Sequence, residues 1–117
     1  MKFWKNSERL VKGGVFRKSI KDMGGQVKEI GEYSKWVDVA HGRIQNKITV
    51  YELNGTFQTM YLLCDNLDRA VCEMQTDKEE VMGYLKEHGW KTTKDWYIED
   101  CGMSEETWNV WNGTEEC

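Results

Sequence analysis

The stretch that decides the fold runs from residue 43 to residue 63 and reads RIQNKITVYELNGTFQTMYLL. Two segments rich in apolar and β-branched residues flank the dipeptide Asn54-Gly55. An Asn-Gly dipeptide between such segments is the strongest short signal for a β-hairpin with a two-residue turn. The sequence therefore predicts a hairpin in which Ile48 faces Tyr61.

The period of two along a strand determines which side chains of this hairpin share a face. One face is almost wholly apolar and is predicted to lie on the core: Ile44, Ile48, Val50, Phe57, Tyr61 and Leu63. The other face is mixed, because Tyr51, Leu53 and Leu62 lie among its polar residues. Shifting the register by one residue would expose the apolar set, at about 1.5 to 3 kcal/mol per large side chain.

Helical spacing marks both ends of the chain and one segment after the hairpin. Residues 3–23 have it, and Gly13-Gly14 is expected to break this region into two short helices. Thr76 and Glu79 form a capping box that opens a helix over about 77–88, which Gly89 closes. Ser104 is expected to begin a short terminal helix.

Strand-like composition marks four further segments, at 26–30, 36–41, 69–75 and 90–98. Together the elements predict an α+β fold. Its centre is an antiparallel β-meander around the Asn54-Gly55 hairpin, packed by the capped helix at about 77–88, with short N- and C-terminal helices.

A chain of 117 residues fits a single domain, expected to span 1–117. We divide it into a basic helical segment (1–25), a sheet plus helix (26–98) and an acidic, tryptophan-bearing segment (99–117). No apolar run approaches the ~20 residues of a membrane span, and the N-terminus lacks the apolar region of a secretory signal. A soluble cytoplasmic protein is therefore expected.

The four cysteines, Cys64, Cys72, Cys101 and Cys117, show no metal-site or disulfide-framework spacing. Cys64 and Cys72 would come within bonding reach if residues 66–68 turn the chain back. In an intracellular protein, however, free thiols are the expectation.

Charge is distributed very unevenly along the sequence. Residues 1–28 hold eight basic and two acidic side chains, whereas residues 95–117 hold seven acidic and no basic ones. Two interpretations follow: either the charges are neutralised within the fold or solvated, or the ends form binding surfaces.

The acidic end interleaves its carboxylates with aromatic rings, which is typical of a surface that binds a basic partner. The predicted partner-binding residues are Asp95, Trp96, Tyr97, Glu99, Asp100, Glu105, Glu106, Trp108 and Trp111. Such a surface can occupy the groove in which another protein binds nucleic acid, by placing carboxylates where phosphates would lie. The favoured hypothesis is a small inhibitor of a nucleic-acid-processing protein or complex, of the kind that phage-encoded anti-defence proteins represent.

Two alternatives use the basic end instead. Gly13-Gly14 with Lys12, Arg17 and Lys18 is a possible phosphate cradle, which would make the protein a binder or sponge for a nucleotide or small anion. Direct nucleic-acid binding is the other, with Phe3, Trp4 and Phe16 among the lysines as stacking platforms. The formal net charge of −4 argues against the second.

No known catalytic or nucleotide-binding motif occurs in the sequence. The general bases, His41 and His88, have no spacing to a cysteine that would indicate a thiol nucleophile. Glu99 and Asp100 are adjacent, and adjacent strand residues point to opposite faces, which discourages joint metal ligation. The sequence therefore predicts a non-enzymatic binding protein without a cofactor or metal.

Overall fold

The computed structural model describes residues 1–112. Its centre is one four-stranded antiparallel sheet with the strand order β3-β2-β1-β4. The strands are β1 (Gln26–Val39), β2 (Gly42–Asn54), β3 (Thr59–Cys64) and β4 (Lys91–Thr92). The helices are α1 (Gly13–Asp22), α2 (Lys78–Glu87), α3 (Thr93–Asp95) and α4 (Glu105–Trp111). The predicted α+β meander is confirmed.

The longest pairing in the sheet joins β1 to β2, from Gln26↔Asn54 to Val39↔Gly42. The strands predicted at 26–30 and 36–41 belong to one continuous strand, β1, so their separation is the part of the prediction that is wrong. The chain between them stays extended and absorbs one irregularity between Glu29 and Gly31. Such a bulge lets one strand continue past an unpaired residue instead of ending.

The β2–β3 hairpin has a longer loop than Asn54-Gly55 alone predicts. Asn54 pairs with Thr59, and the Gly55 amide donates to the Gln58 carbonyl at 3.0 Å. The predicted pairing is therefore wrong by four residues. Because four is an even number, each side chain keeps its predicted face, but Phe57 falls in the loop and is 98% exposed.

Both faces of the sheet are covered, which explains why the second face is mixed. Helix α2 covers the predicted core face through Val81 and Leu85. Helix α1 covers the other through Ile20, which packs with Leu53 and Leu62. The placement of Ile44 in the core is wrong: it is 54% exposed, because the β1–β2 hairpin extends past the end of β3.

Helix α2 is confirmed, with its cap shifted by one residue. Asp77, not Thr76, is the N-cap, and its carboxylate accepts hydrogen bonds from the amides of Glu79 and Glu80. Gly89 closes the helix with a φ of 82°. Trp90 then folds back, its amide donating to the Leu85 carbonyl at 2.9 Å, and is buried.

The strand predicted at 90–98 is wrong except for its start. After Lys91–Thr92 the chain turns into α3, because the Thr92 hydroxyl caps the Asp95 amide. A π-helical turn, Trp96–Asp100, follows directly. The aromatic content that indicated a strand belongs instead to a helical segment packed on the sheet.

The strand predicted at 69–75 is also wrong, since this segment makes only isolated bridges, Lys12↔Arg69, Cys64↔Ala70 and Tyr61↔Gln75. The N-terminal segment lies beside it: the Trp4 amide donates to the Val71 carbonyl and the Ala70 amide to the Val11 carbonyl.

The first of the two predicted N-terminal helices is reduced to a 3-10 turn at Asn6–Glu8. Gly13-Gly14 does not separate two helices but begins α1.

Within residues 1–112 the cysteines are free thiols, as predicted. Cys64 packs in the cluster under α1 and Cys72 in the cluster under α2, so the sheet lies between them. Cys117 lies outside the described residues. None of the helices in the described part of the chain combines the length and the apolar character that crossing a membrane requires.

Candidate partner-binding surface

A chain of aromatic rings fixes the C-terminal segment (residues 91–112) to the sheet. Trp36 on β1 packs against Trp96 with ring centroids 4.8 Å apart. Trp96 contacts Tyr97 at 4.8 Å, and Tyr97 contacts Trp108 of α4 at 5.4 Å. Aromatic pairs at such distances contribute about 0.5–1.5 kcal/mol beyond the area that they bury. The rings therefore hold α4 in a defined position.

Trp96 is a predicted partner-binding residue that the structure buries, with 3% of its surface exposed. Its indole Nε1 is the one buried side-chain nitrogen or oxygen in residues 1–112 without a hydrogen-bond partner. A donor buried in this way costs about 1–3 kcal/mol. Trp96 therefore cannot contact a partner directly, and it contributes to the surface only by packing against Tyr97.

Helix α4 presents the most exposed aromatic residue of this segment. Ser104 caps the helix by accepting from the Thr107 amide at 3.1 Å. Trp108 faces the body and is half-buried, whereas Val110 and Trp111 are 63% and 69% exposed. Two large apolar side chains thus lie next to each other on the outer side of α4.

The carboxylates of the segment are only partly neutralised. Lys91 pairs with Asp100 at 2.7 Å and with Glu99 at 3.6 Å, and Lys94 pairs with Glu105 at 3.0 Å. The hydrogen bond to Asp100 raises the pKa of Lys91. Asp95 and Glu106 form no ion pair with another residue of the described chain. Since residues 91–112 hold five carboxylates and two lysines, an acidic excess of three remains. Glu115 and Glu116 lie outside the described residues.

The cations of the predicted phosphate cradle all have partners inside the chain. Arg17 donates to both carboxylate oxygens of Asp68 at 2.7 Å, and its guanidinium lies over the Tyr51 ring. Lys12 donates to the Leu67 carbonyl, and Lys18 pairs with Asp22. An incoming anion would therefore compete with Asp68 for Arg17.

Asp68 also occupies the N-terminus of α1, where the phosphate was expected. The Gly14 amide donates to its carboxylate at 3.2 Å and the Gly13 amide to its backbone carbonyl at 2.6 Å. Asp68 has a φ of 59°, a backbone conformation that residues other than glycine rarely adopt. The hydrogen bonds from Arg17 lower the pKa of Asp68. The cradle exists, but the chain supplies its own anion.

A second carboxylate, Asp65, binds two further cations of this region. It accepts hydrogen bonds from the Leu67 and Arg69 amides and from Arg69 Nε, and it lies 3.6 Å from Arg9. Only 5% of the Asp65 side chain is exposed. Burial alone would raise its pKa, but the hydrogen bonds from Arg69 and Leu67 lower it overall. The sequence reasoning missed both aspartates, which lie outside the charged ends.

The N-terminal aromatic residues are not free to stack on bases. Phe3 packs against Tyr84 and Trp90 with ring centroids 5.0 and 6.3 Å away. Trp4 and Phe16 pack against the cluster under α1. The aromatic residues among the N-terminal lysines therefore stabilise the fold.

Little in the described residues favours catalysis. A polar groove of about 570 Å³ lies beside Arg17, Tyr51 and Cys64. Burial raises the pKa of the Cys64 thiol to about 12, so it is not a thiolate at neutral pH. His88 stacks on Tyr84 at the end of α2. No group of three or more His, Cys, Asp or Glu side chains in residues 1–112 is arranged to hold a metal ion.

No protein family, curated protein or solved structure matches this chain. A function is therefore inferred from the geometry of the C-terminal segment and from the partners of its charged groups.

Proposed function

We propose that the protein is a non-enzymatic binding protein whose α4 surface docks on a basic partner protein. The α4 surface consists of Glu106, Val110 and Trp111, with Glu105 at its margin. The partner is a nucleic-acid-binding protein or complex of the cytoplasm, and docking inhibits or modulates it. The observation that carries this proposal is the exposed Trp111 on the same helix as the unpaired carboxylate of Glu106.

The physical support is a rigid anchor in an acidic environment. Tryptophan is among the residues that contribute most to binding energy at interfaces, because it buries a large area at little entropic cost. The stack of Trp96, Tyr97 and Trp108 fixes α4 before the partner arrives. Binding then costs less free energy, because α4 does not have to become ordered when the partner docks. The acidic excess steers a basic partner toward this side.

Affinity capture from nuclease-treated lysates of candidate hosts tests the proposal. The bait proteins are the wild type, Trp111→Ala, Glu106→Lys and a matched control, Phe57→Ala. Phe57 is an even more exposed ring, at 98% against 69% for Trp111, and lies in the β2–β3 loop, away from the acidic segment. We expect a basic protein to be captured by the wild type and by Phe57→Ala, and its capture to fall about tenfold or more with Trp111→Ala.

Glu106→Lys should weaken the same capture, and rising salt should weaken it further, because exposed charges are screened. Equal capture by Trp111→Ala and the wild type would exclude the α4 surface. Capture from an untreated lysate that is absent from the nuclease-treated lysate would show that nucleic acid, and not the protein surface, connects the two.

A further inference from the structure

One edge of the sheet is open next to α4. β1 is 14 residues long, yet its outer neighbour β4 pairs only with Tyr33 and Ser34, because the chain turns into α3 after Thr92. Among residues 1–112, no strand lies beside the outer edge of β1 from Gln26 to Glu32. An open edge presents backbone N–H and C=O groups to which an extended peptide can add as a strand.

A groove of about 330 Å³ follows part of this edge. One wall is the β1 edge from Ile30 to Tyr33, and the other includes Trp108 and Asn112. Thr92, Thr93 and Lys94 line the groove where β4 ends. A strand added here would continue in the position that β4 leaves and would pass along the ring of Trp108.

The charges near the groove favour a cationic occupant. Glu29 and Glu32 lie on the open edge together with one cation, Lys28, and Glu32 pairs with Lys47 at 3.7 Å, with both side chains 40% exposed. Glu29, Asp95 and Glu106 form no ion pair with the other described residues. Lys28 and Lys94 offset part of this charge, but residues 26–32 and 91–112 together hold seven carboxylates against three lysines. The acidic excess repels an acidic peptide and attracts lysine or arginine side chains.

We propose that the partner binds through an extended peptide segment rich in lysine and arginine, which adds as a fifth strand along Gln26–Glu32 of β1 beside Trp108. This inference rests on the proposed function, since it specifies how the basic partner engages the acidic segment. The backbone pairing gives affinity, and the acidic excess of the surrounding segments selects the charge of the peptide.

Fluorescence anisotropy with synthetic peptides tests the inference. The probe is a fluorescein-labelled octapeptide of alternating lysine and valine. The first comparison peptide has the same sequence with N-methyl groups on alternate residues, which removes the amide donors of one edge. The second replaces every lysine with glutamate. We expect N-methylation to raise Kd about tenfold or more, since several hydrogen bonds are lost, and the glutamate peptide not to bind.

Amide hydrogen exchange with the unmodified lysine-valine peptide gives a second readout. Exchange at 27–32 should slow in the complex, whereas exchange at 36–39, the other open part of the same strand, should not change. Equal binding of the plain and N-methylated peptides, without protection at 27–32, would overturn strand addition and leave the α4 surface as an electrostatic docking site. Failure of the lysine-valine peptide to bind also overturns the inference, while lysate capture with Trp111→Ala decides the proposed function separately.

Discussion

The two ends of this chain look alike in sequence, since each interleaves aromatic rings with charges of one sign, but the fold treats them differently. At the N-terminal end, Arg9 and Arg17 are paired with Asp65 and Asp68, and the aromatic rings pack on the core. At the C-terminal end, Trp111 is exposed and the carboxylates exceed the lysines. An alternation of charge and aromatic residues therefore does not by itself identify a binding surface. The two ends differ in that the middle of the chain supplies carboxylates to Arg9 and Arg17, whereas Trp111 stays 69% exposed.

The largest expected effect concerns Asp65, whose removal should break the N-terminal side of the comparison. Asp65→Ala leaves Arg69, Arg9 and two backbone amides without their acceptor in a nearly buried site. We expect the free energy of unfolding to fall by about 3 kcal/mol or more. Urea denaturation of this variant beside Glu106→Ala measures the contrast, because Glu106→Ala should change stability by less than about 0.5 kcal/mol. Similar losses in the two variants would contradict the distinction between the ends.

A smaller effect is expected where α1 begins. An alanine Cβ at position 13 would collide with Cys64 Sγ and lie 2.8 Å from Arg17 Nη1, whereas at position 14 the nearest contacts are at 3.6 Å. Gly13→Ala should therefore destabilise the protein by about 1–3 kcal/mol. Gly14→Ala should be neutral or stabilise it slightly, since alanine favours the helix. Thermal unfolding of the pair measures the difference, and equal midpoints would show that the close approach at Gly13 can relax.

Stability should also depend on pH through the aspartates that hold the N-terminal segment. The pKa of Asp68 is lowered by the hydrogen bonds from Arg17. A carboxyl whose pKa is lower in the folded state stabilises the protein above its unfolded value of about 3.9. That contribution is lost as the pH falls through the folded pKa.

Thermal unfolding between pH 6 and pH 2 measures this dependence. The loss of stability below about pH 4 should be shallower in Asp68→Asn than in the wild type. An unchanged slope would show that the Arg17 contact contributes nothing to folding.

The smallest effect on stability is expected at Trp111. Because most of its surface is exposed, Trp111→Ala should change the free energy of unfolding by less than about 0.5 kcal/mol, as Phe57→Ala should. The capture experiment should nevertheless separate the two variants. A large destabilisation by Trp111→Ala, measured by urea denaturation, would assign the residue to the fold instead of to a surface.

Short sequence signals predict the positions of turns and helix ends well, because these depend on the conformations that the residues themselves adopt. Asn54-Gly55 located a hairpin, and Gly89 ended α2. The predicted loop length is wrong because the hydrogen bond from the Gly55 amide to the Gln58 carbonyl closes a longer loop. This bond depends on how β2 pairs with β3 and not on the Asn-Gly dipeptide. The strand predicted at 90–98 failed because aromatic residues suit a buried helical turn as well as a strand.

The candidate site was less predictable for a different reason. Lys91 and Lys94 pair with Glu99, Asp100 and Glu105. Both lysines lie just before residues 95–117, so the charge of that range does not include them. Trp96 and Trp111 cannot be told apart by sequence, because their burial depends on whether Trp36 lies above them. Only the three-dimensional arrangement assigns one to the anchor and the other to the surface.

The position of Asp68 at the start of α1 links parts of the chain 54 residues apart. A helix whose first turn depends on a distant carboxylate gains that support only when the intervening chain has closed into a loop, and loop closure costs entropy. During synthesis, residues 13–22 leave the ribosome well before residue 68 does. We therefore expect the start of α1 to be completed late in folding, after the β1–β2–β3 meander has brought the 65–69 turn to it.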